Sequence, residues 1–328
     1  MPSRSIAMVR GQDSAACLHR MAECGRPLRS ERRGRLDRVA VFVAGMALVL
    51  AGGGLLGIAW ELGVLRGLRE GGVDPADADL VVGTSAGSVA GAILGSGVPL
   101  TDDLLPEASS LGRELERLMQ GADSELAGRI FELWQADGGT PEQPVRAQIG
   151  TLARQATTVP EREYVDLFNR LLPPVPWPQV LTVTAVDVDN GSFVAWTARS
   201  GVPLVPAVAA SCALPGLFPP VTVASRRYMD GGVRSGVSAD LAVGHDPVVV
   251  IVPIGGDMAR AYMERDTAAL RASGAGVIEI VADQASGAAM GADLMDASRL
   301  VAALAGGLRQ GASAAENRQR FSAHASSE

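Results

Sequence analysis

The chain has 328 residues, 47% of them hydrophobic, and a formal net charge of −7. That is enough apolar material for one large α/β domain or two small ones, and the acidic balance leaves no footprint for a nucleic-acid partner. Every basic residue other than histidine is arginine, which excludes a P-loop, a Schiff-base lysine and a Ser-Lys dyad, because each needs the lysine amine.

Taken in order, residues 1–38 carry nine arginines against four acids, an excess of +5 that leaves −12 for the rest. They show no sustained apolar period, so residues 1–45 read as a disordered basic tail. Met46 is a natural point for such a protein to begin. Val39 to Trp60 holds no charged residue, a length that would span a bilayer or serve as a signal. Gly52-Gly53-Gly54 interrupts it, and the halves read as strand, glycine turn and helix. The expectation is a cytoplasmic protein, peripheral at a membrane; the alternative is an anchored or exported one.

Ala47–Ala51 is the first predicted strand. Gly52-Gly53-Gly54-Leu55-Leu56-Gly57 turns into a helix from Ile58 to Glu70, with Ile58, Leu62, Leu65 and Leu68 as its apolar stripe. Asp74-Pro75 leads to a strand ending in Val82, which completes a β-α-β unit with parallel strands, and Ser88 to Leu94 forms the next helix. From Thr101, an N-cap candidate, to Pro173 the pattern is helical: Leu104, Ala108, Leu111, Leu115 and Leu118, then Leu126, Ile130 and Leu133, then Val145, Ile149 and Leu152, then Tyr164, Leu167, Phe168 and Leu171. These helices read either as ordinary core or as a cap shaping an apolar pocket. Val180–Val186 and Phe193–Thr197 form a hairpin around Asp189-Asn190-Gly191. Val205–Cys212 is small and apolar. Val248–Val252 and Val277–Val281 are two more buried strands, and the tail beyond Met290 is helical before it frays.

The stretch Gly83-Thr84-Ser85-Ala86-Gly87 lies between a strand and a helix, the nucleophile-elbow pattern, and the helix N-terminus behind it favours negative charge. Gly52 to Gly57 also fits the dinucleotide fingerprint, but the following strand ends in Val82-Gly83 and delivers a serine instead of the ribose-binding acid. The glycines therefore read as backbone donors for an oxyanion, with Gly53 and Gly54 foremost among Gly52, Gly53, Gly54 and Leu55. A nucleophilic serine needs a base. His245 and His324 would serve a Ser-His-Asp triad, yet neither carries a supporting motif. Asp230, in Tyr228-Met229-Asp230-Gly231-Gly232, can accept the proton directly if desolvation raises its pKa. Cys17, Cys24 and Cys212 make no disulfide framework, and with His19 the histidines show no metal spacing, so no metal and no cofactor are expected.

These motifs, in this order, resemble the patatin-like phospholipase family. They are the glycine turn ending at Gly57, the elbow Gly83 to Gly87 around Ser85, the stretch Ala210-Ser211-Cys212-Ala213-Leu214-Pro215-Gly216-Leu217-Phe218-Pro219-Pro220-Val221, and Asp230-Gly231-Gly232. The resemblance covers residues 46–315. It implies a three-layer α/β/α hydrolase with a mostly parallel sheet; within it the helical pattern at about 101–173 reads as a cap segment and residues 316–328 as a frayed C-terminal tail. It also implies Ser85 as nucleophile, Asp230 as base, the glycine turn as oxyanion hole, and an acyl lipid or phospholipid substrate met at a membrane surface. One departure stands out: the family usually carries Arg or Lys before the last glycine of the oxyanion turn, where this chain has Leu56. The competing readings are an esterase for small esters, a catalytically silent lipid-binding protein on the same fold, and a dinucleotide-binding module.

Overall fold

The first strand shows why the chain folds in layers. In the computed structural model, which describes residues 45–101, 105–136, 138–316 and 321, β1 (Ala47–Leu50) is buried along its whole length. Its side chains alternate, as a pleated strand requires. Leu48 and Leu50 join one apolar cluster, and Ala47, Val49 and Ala51 join another on the opposite face. A strand apolar on both sides belongs in the middle of a sheet covered by helices on both faces.

Among the described residues eight strands form one mixed sheet. They are β1, β2 (Leu80–Gly83), β3 (Leu181–Asp187), β4 (Phe193–Trp196), β5 (Val221–Val223), β6 (Arg226–Asp230), β7 (Val248–Val252) and β8 (Val277–Val281). The hydrogen-bonded path runs β5-β6-β3-β2-β1-β7-β8, with β4 also on β3. The β1–β2, β1–β7, β2–β3 and β7–β8 pairs are parallel. The β3–β4, β3–β6 and β5–β6 pairs are antiparallel and make one corner.

The helices are α1 (Gly54–Glu70), α2 (Ala86–Gly95), α3 (Leu105–Met119), α4 (Ser124–Gln135), α5 (Gln143–Ala153), α6 (Glu161–Leu171), α7 (Leu204–Ser211), α8 (Asp257–Ala272), α9 (Gln284–Met290) and α10 (Leu300–Ala315). Residues of α1, α2, α3, α6, α7 and α10 pack on the Leu48/Leu50 face. Met263 and Leu270 of α8 cover the other face, and Ile130 of α4 and Ile149 of α5 cover Val186 and Met229 there. The expected cap is thus divided: α3 and α6 stand on one side of the sheet, α4 and α5 on the other. No helix among the described residues is long and apolar enough to cross a membrane.

The helix expected from Ile58 begins at Gly54, because the glycine turn itself supplies its first turn. The strands β5 and β6 lie in a region where no strand is expected from the sequence; Arg226 and Arg227 of β6 are exposed, so no apolar run announces them. The tail beyond Met290 becomes α10 only after an irregular stretch and a 3-10 turn at Ala297–Arg299. Apart from Gly45 the basic tail lies outside the described residues, as do Leu104, His324 and all of 316–328 except Glu316 and Phe321.

Helix α1 is held from behind by α10 through a crossing faced with glycine. A Cβ at Gly307 would lie 2.0 Å from the Trp60 carbonyl oxygen, and one at Gly63 would lie 2.2 Å from that of Leu304. The two backbones therefore touch, and this contact seats α1 and the turn at its start. Gly307→Ala is expected to destabilise the fold by about 1–3 kcal/mol through overpacking, read as a lower midpoint in urea unfolding.

Candidate active site

Two strands approach each other end to end on a single edge of β3. Val183 pairs with both Gly83 of β2 and Trp196 of β4, so these two strands take opposite edges. Ala185 pairs with both Val194 of β4 and Asp230 of β6, so β6 takes the edge that β2 uses. The parallel β2 stops at Val183, and the antiparallel β6 stops at Ala185. Their C-terminal ends meet, and each hands its next residues to the gap: β2 delivers Ser85 and β6 delivers Asp230. Thr84 Oγ1 bonds Thr184 Oγ1 at 2.8 Å and pins the junction to β3.

Ser85 sits between β2 and α2 with φ 51° and ψ −117°, a conformation that costs a non-glycine residue energy and must be held by its surroundings. Its N–H donates to Ser211 Oγ at 2.9 Å. Its carbonyl accepts from Ser88 Oγ at 2.7 Å and from Cys212 Sγ at 3.2 Å. Burial, reinforced by the Asp230 carboxylate, pushes the Cys212 thiol up, so it remains a neutral donor. Both glycines of the elbow are needed for space: a Cβ at Gly87 would lie 2.0 Å from the Leu50 carbonyl oxygen, and one at Gly83 would lie 2.6 Å from the Gly87 oxygen. The turn is pressed flat on the end of β1, where Gly87 N–H donates to Ala51 O.

Asp230 is 1% exposed. Its Oδ1 accepts the Gly232 N–H at 2.7 Å, while Oδ2 is buried with no hydrogen-bond partner among the described residues. Burial raises its pKa to about 7, with the neighbouring Ser85 hydroxyl and the Gly232 N–H acting in the opposite sense. The following glycines let the loop close in: a Cβ at Gly231 would meet Thr184 Oγ1 at 2.2 Å, and one at Gly232 would meet Asp230 Oδ1 at 2.9 Å.

The glycine turn faces the same gap. A Cβ on Gly52 would stand 3.5 Å from Ser85 Cβ. Gly52 itself is a correction to the expected donor set, because its N–H is taken by Gly236 O at 2.8 Å. Leu56 N–H donates to Leu294 O, and Gly57 N–H to Gly53 O. The N–H groups of Gly53, Gly54 and Leu55 have no acceptor among the described residues, as expected for the first turn of a helix. Gly54 has φ +62°, and a Cβ there would strike Met295 and Leu294. Gly57 lets α1 rest against Ala86 at the start of α2. Two helix N-termini, those of α1 and α2, therefore converge on Ser85, an arrangement suited to a developing anion.

Leu56 is fully buried in the core, so nothing at this position carries charge toward Ser85. His245 is not part of the site. It precedes β7, and the parallel register Ala47↔Val248 and Leu50↔Gly83 puts it beyond the opposite end of the strands from Ser85. A strand of this length separates the two edges by about 13 Å at ~3.3 Å per residue. The Ser211–Cys212 clamp is not expected from the sequence, although both residues lie in the Ala210–Val221 motif, which is the signal for it.

Ser85 opens onto an apolar cavity of about 180 Å³, walled by α1, α2, α3, α6 and α10. Tyr164 closes it near Ser85, donating from its hydroxyl to Cys212 O at 2.8 Å and stacking on Phe218 with ring centroids 4.8 Å apart.

A patatin-like phospholipase family model matches residues 48–243, more than half of the chain. The chain belongs to this family. Among solved structures it is similar to VipD from Legionella pneumophila, at 14% identity over 84% of this chain and 67% of that one, with a TM-score of 0.40. It is also similar to the type III effector protein ExoU, at 17% identity over 85% of this chain and 54% of that one, with a TM-score of 0.41. The chain thus spans about two thirds of the first and about half of the second. No curated protein sequence matches it.

A second carboxyl lies under the site. Glu61 of α1 is 0% exposed, and neither of its oxygens has a hydrogen-bond partner among the described residues. Burial raises its pKa well above the ordinary range, opposed by the Ala51 backbone. The folded state holds a proton there that the unfolded chain releases, so stability falls as pH rises above the ordinary carboxylate range. Asp230 adds to this fall up to about pH 7. Glu61→Gln is expected to make the slope of melting temperature against pH shallower; calorimetry from about pH 5 to 9 measures it.

Proposed function

We propose that the enzyme cleaves carboxylic esters of acyl lipids through an acyl-enzyme, using Ser85 and Asp230 as a dyad. The observation that carries this reading is the pairing of a strained, backbone-clamped serine with a desolvated carboxylate that keeps one oxygen unpartnered. Ser85 Oγ attacks the ester carbonyl carbon while its proton passes to Asp230 Oδ2. The carbonyl oxygen becomes an oxyanion and is received by the N–H groups of Gly53, Gly54 and Leu55 at the start of α1, where preorganised donors stabilise developing charge. The tetrahedral intermediate collapses, the alcohol leaves with the proton from Asp230, and the acyl group stays on Ser85. Water then repeats the sequence with Asp230 as base, releasing the fatty acid and restoring Ser85.

Asp230 suits both directions of transfer because a base works best with a pKa near the operating pH, and its own is raised to about 7. The apolar lining of the cavity favours a long acyl chain over a small ester. With Leu56 in the core, the backbone donors act without a basic side chain beside them, and an arginine substituted there would have to be buried.

Ser85→Ala is expected to abolish hydrolysis of p-nitrophenyl esters in a protein with an unchanged circular dichroism spectrum. Asp230→Asn should lower kcat by about 10² to 10⁴, the usual contribution of a general base, while His245→Ala stays near the wild-type rate. A folded His245→Ala protein without activity would overturn the dyad.

The pH profile follows from the same assignment. The working form of Asp230 is ionised, so kcat/KM should rise with pH, level off above about 7, and fall about tenfold per unit below it. A stopped or continuous ester assay across this range shows it. A plateau extending down to the ordinary aspartate range would count against Asp230 as base.

A further inference from the structure

We propose that the cavity measures one straight acyl chain, with Ser85 at its zero mark and Arg66 at its far end. This rests on the ester-hydrolase reading for the identity of the ester, and the test below separates the two.

Three helices leave the catalytic end in the same sense. Along α1 the wall is Leu55, Ile58, Leu62 and then Arg66, one residue per turn. Along α2 it runs from Ala86 beside the elbow to Ile93. Along α6 it begins at Tyr164, which is bonded to Cys212 O next to the elbow, and ends at Arg170 and Leu171. Among the described lining residues Arg66 and Arg170 are the charged ones. Each is tied in place, Arg66 to Glu70 at 2.8 Å and Arg170 to Glu114 at 2.6 Å. Both reach solvent, with side chains 25% and 50% exposed.

Away from the elbow the wall therefore changes from apolar to cationic and wet, at Arg66 on α1 and at Arg170 on α6. A methylene held beside a hydrated guanidinium gains no burial, and stripping water from that charge costs more than the methylene returns. The twelve residues from Gly54 to Arg66 span about 18 Å at ~1.5 Å per residue. A zigzag chain built from C–C bonds of ~1.5 Å advances about 1.3 Å per carbon, so roughly fourteen carbons fill the distance.

The experiment is displacement of a fluorescent fatty acid from the full chain by saturated fatty acids of six to eighteen carbons, used below their micelle concentrations. Affinity should rise about fourfold per methylene, the value of one buried CH₂, and stop rising near fourteen carbons. Leu62→Trp fills the channel one turn before Arg66, about 6 Å short, and should move the break down by about four or five carbons. Arg66→Leu should move it up. The ruler is overturned by affinity that climbs steadily to eighteen carbons, by the absence of binding, or by variants that change all lengths equally. A break without hydrolysis of any ester removes the hydrolase reading and leaves the ruler; hydrolysis without a break removes the ruler alone.

Discussion

The site depends on one shared strand edge. With β4 on the far side of β3, β2 and β6 can only dock on the same side, and each must stop before it meets the other. Their ends then face across a gap of one β3 residue. Ser85 and Asp230 are brought together by backbone ladders and not by flexible side chains reaching over a surface. That kind of placement is stiff, and stiffness is what an aligned proton transfer needs.

The same packing sets the chemistry of both residues. The elbow is pushed against the end of β1 so tightly that Gly87 has no room for a Cβ. Ser85 is left in a backbone conformation it would not keep alone, and the Ser211, Ser88 and Cys212 hydrogen bonds hold it there. Asp230, closed in by the Gly231 approach to Thr184, loses its water and with it the usual preference for the ionised form. Desolvation thus suits the carboxylate to the base role proposed for it and makes it a destabilising group when ionised. Glu61 bears the same cost without touching the reacting atoms, and the structure gives no chemical task to it.

The helices between the elbow and the hairpin show how layers and cavity are linked. α3 and α6 stay on the face that carries Ser85 and wall the cavity. α4 and α5 cross to the other face and bury Val186 and Met229 beneath the antiparallel corner. One sequence segment therefore does two jobs, closing the substrate side and supporting β3 from behind.

The sequence by itself determined the buried parallel strands, the elbow around Ser85, the glycine turn and the Asp230-Gly231-Gly232 loop. Each is written in a local pattern: a short β-branched run, or glycines where the chain must turn tightly. It also determined α1 and α2, though not where α1 begins. Local patterns do not say what lies on the other side of a contact. The strands β5 and β6, the loss of Gly52 as a donor to Gly236, the Ser211–Cys212 clamp and the exclusion of His245 all come from pairings between distant segments. So do the pKa of Asp230 and the course of the cavity, because burial and walls are properties of the assembled layers. Only the tertiary structure decided them, since the groups involved meet through folding and not through neighbourhood in the chain.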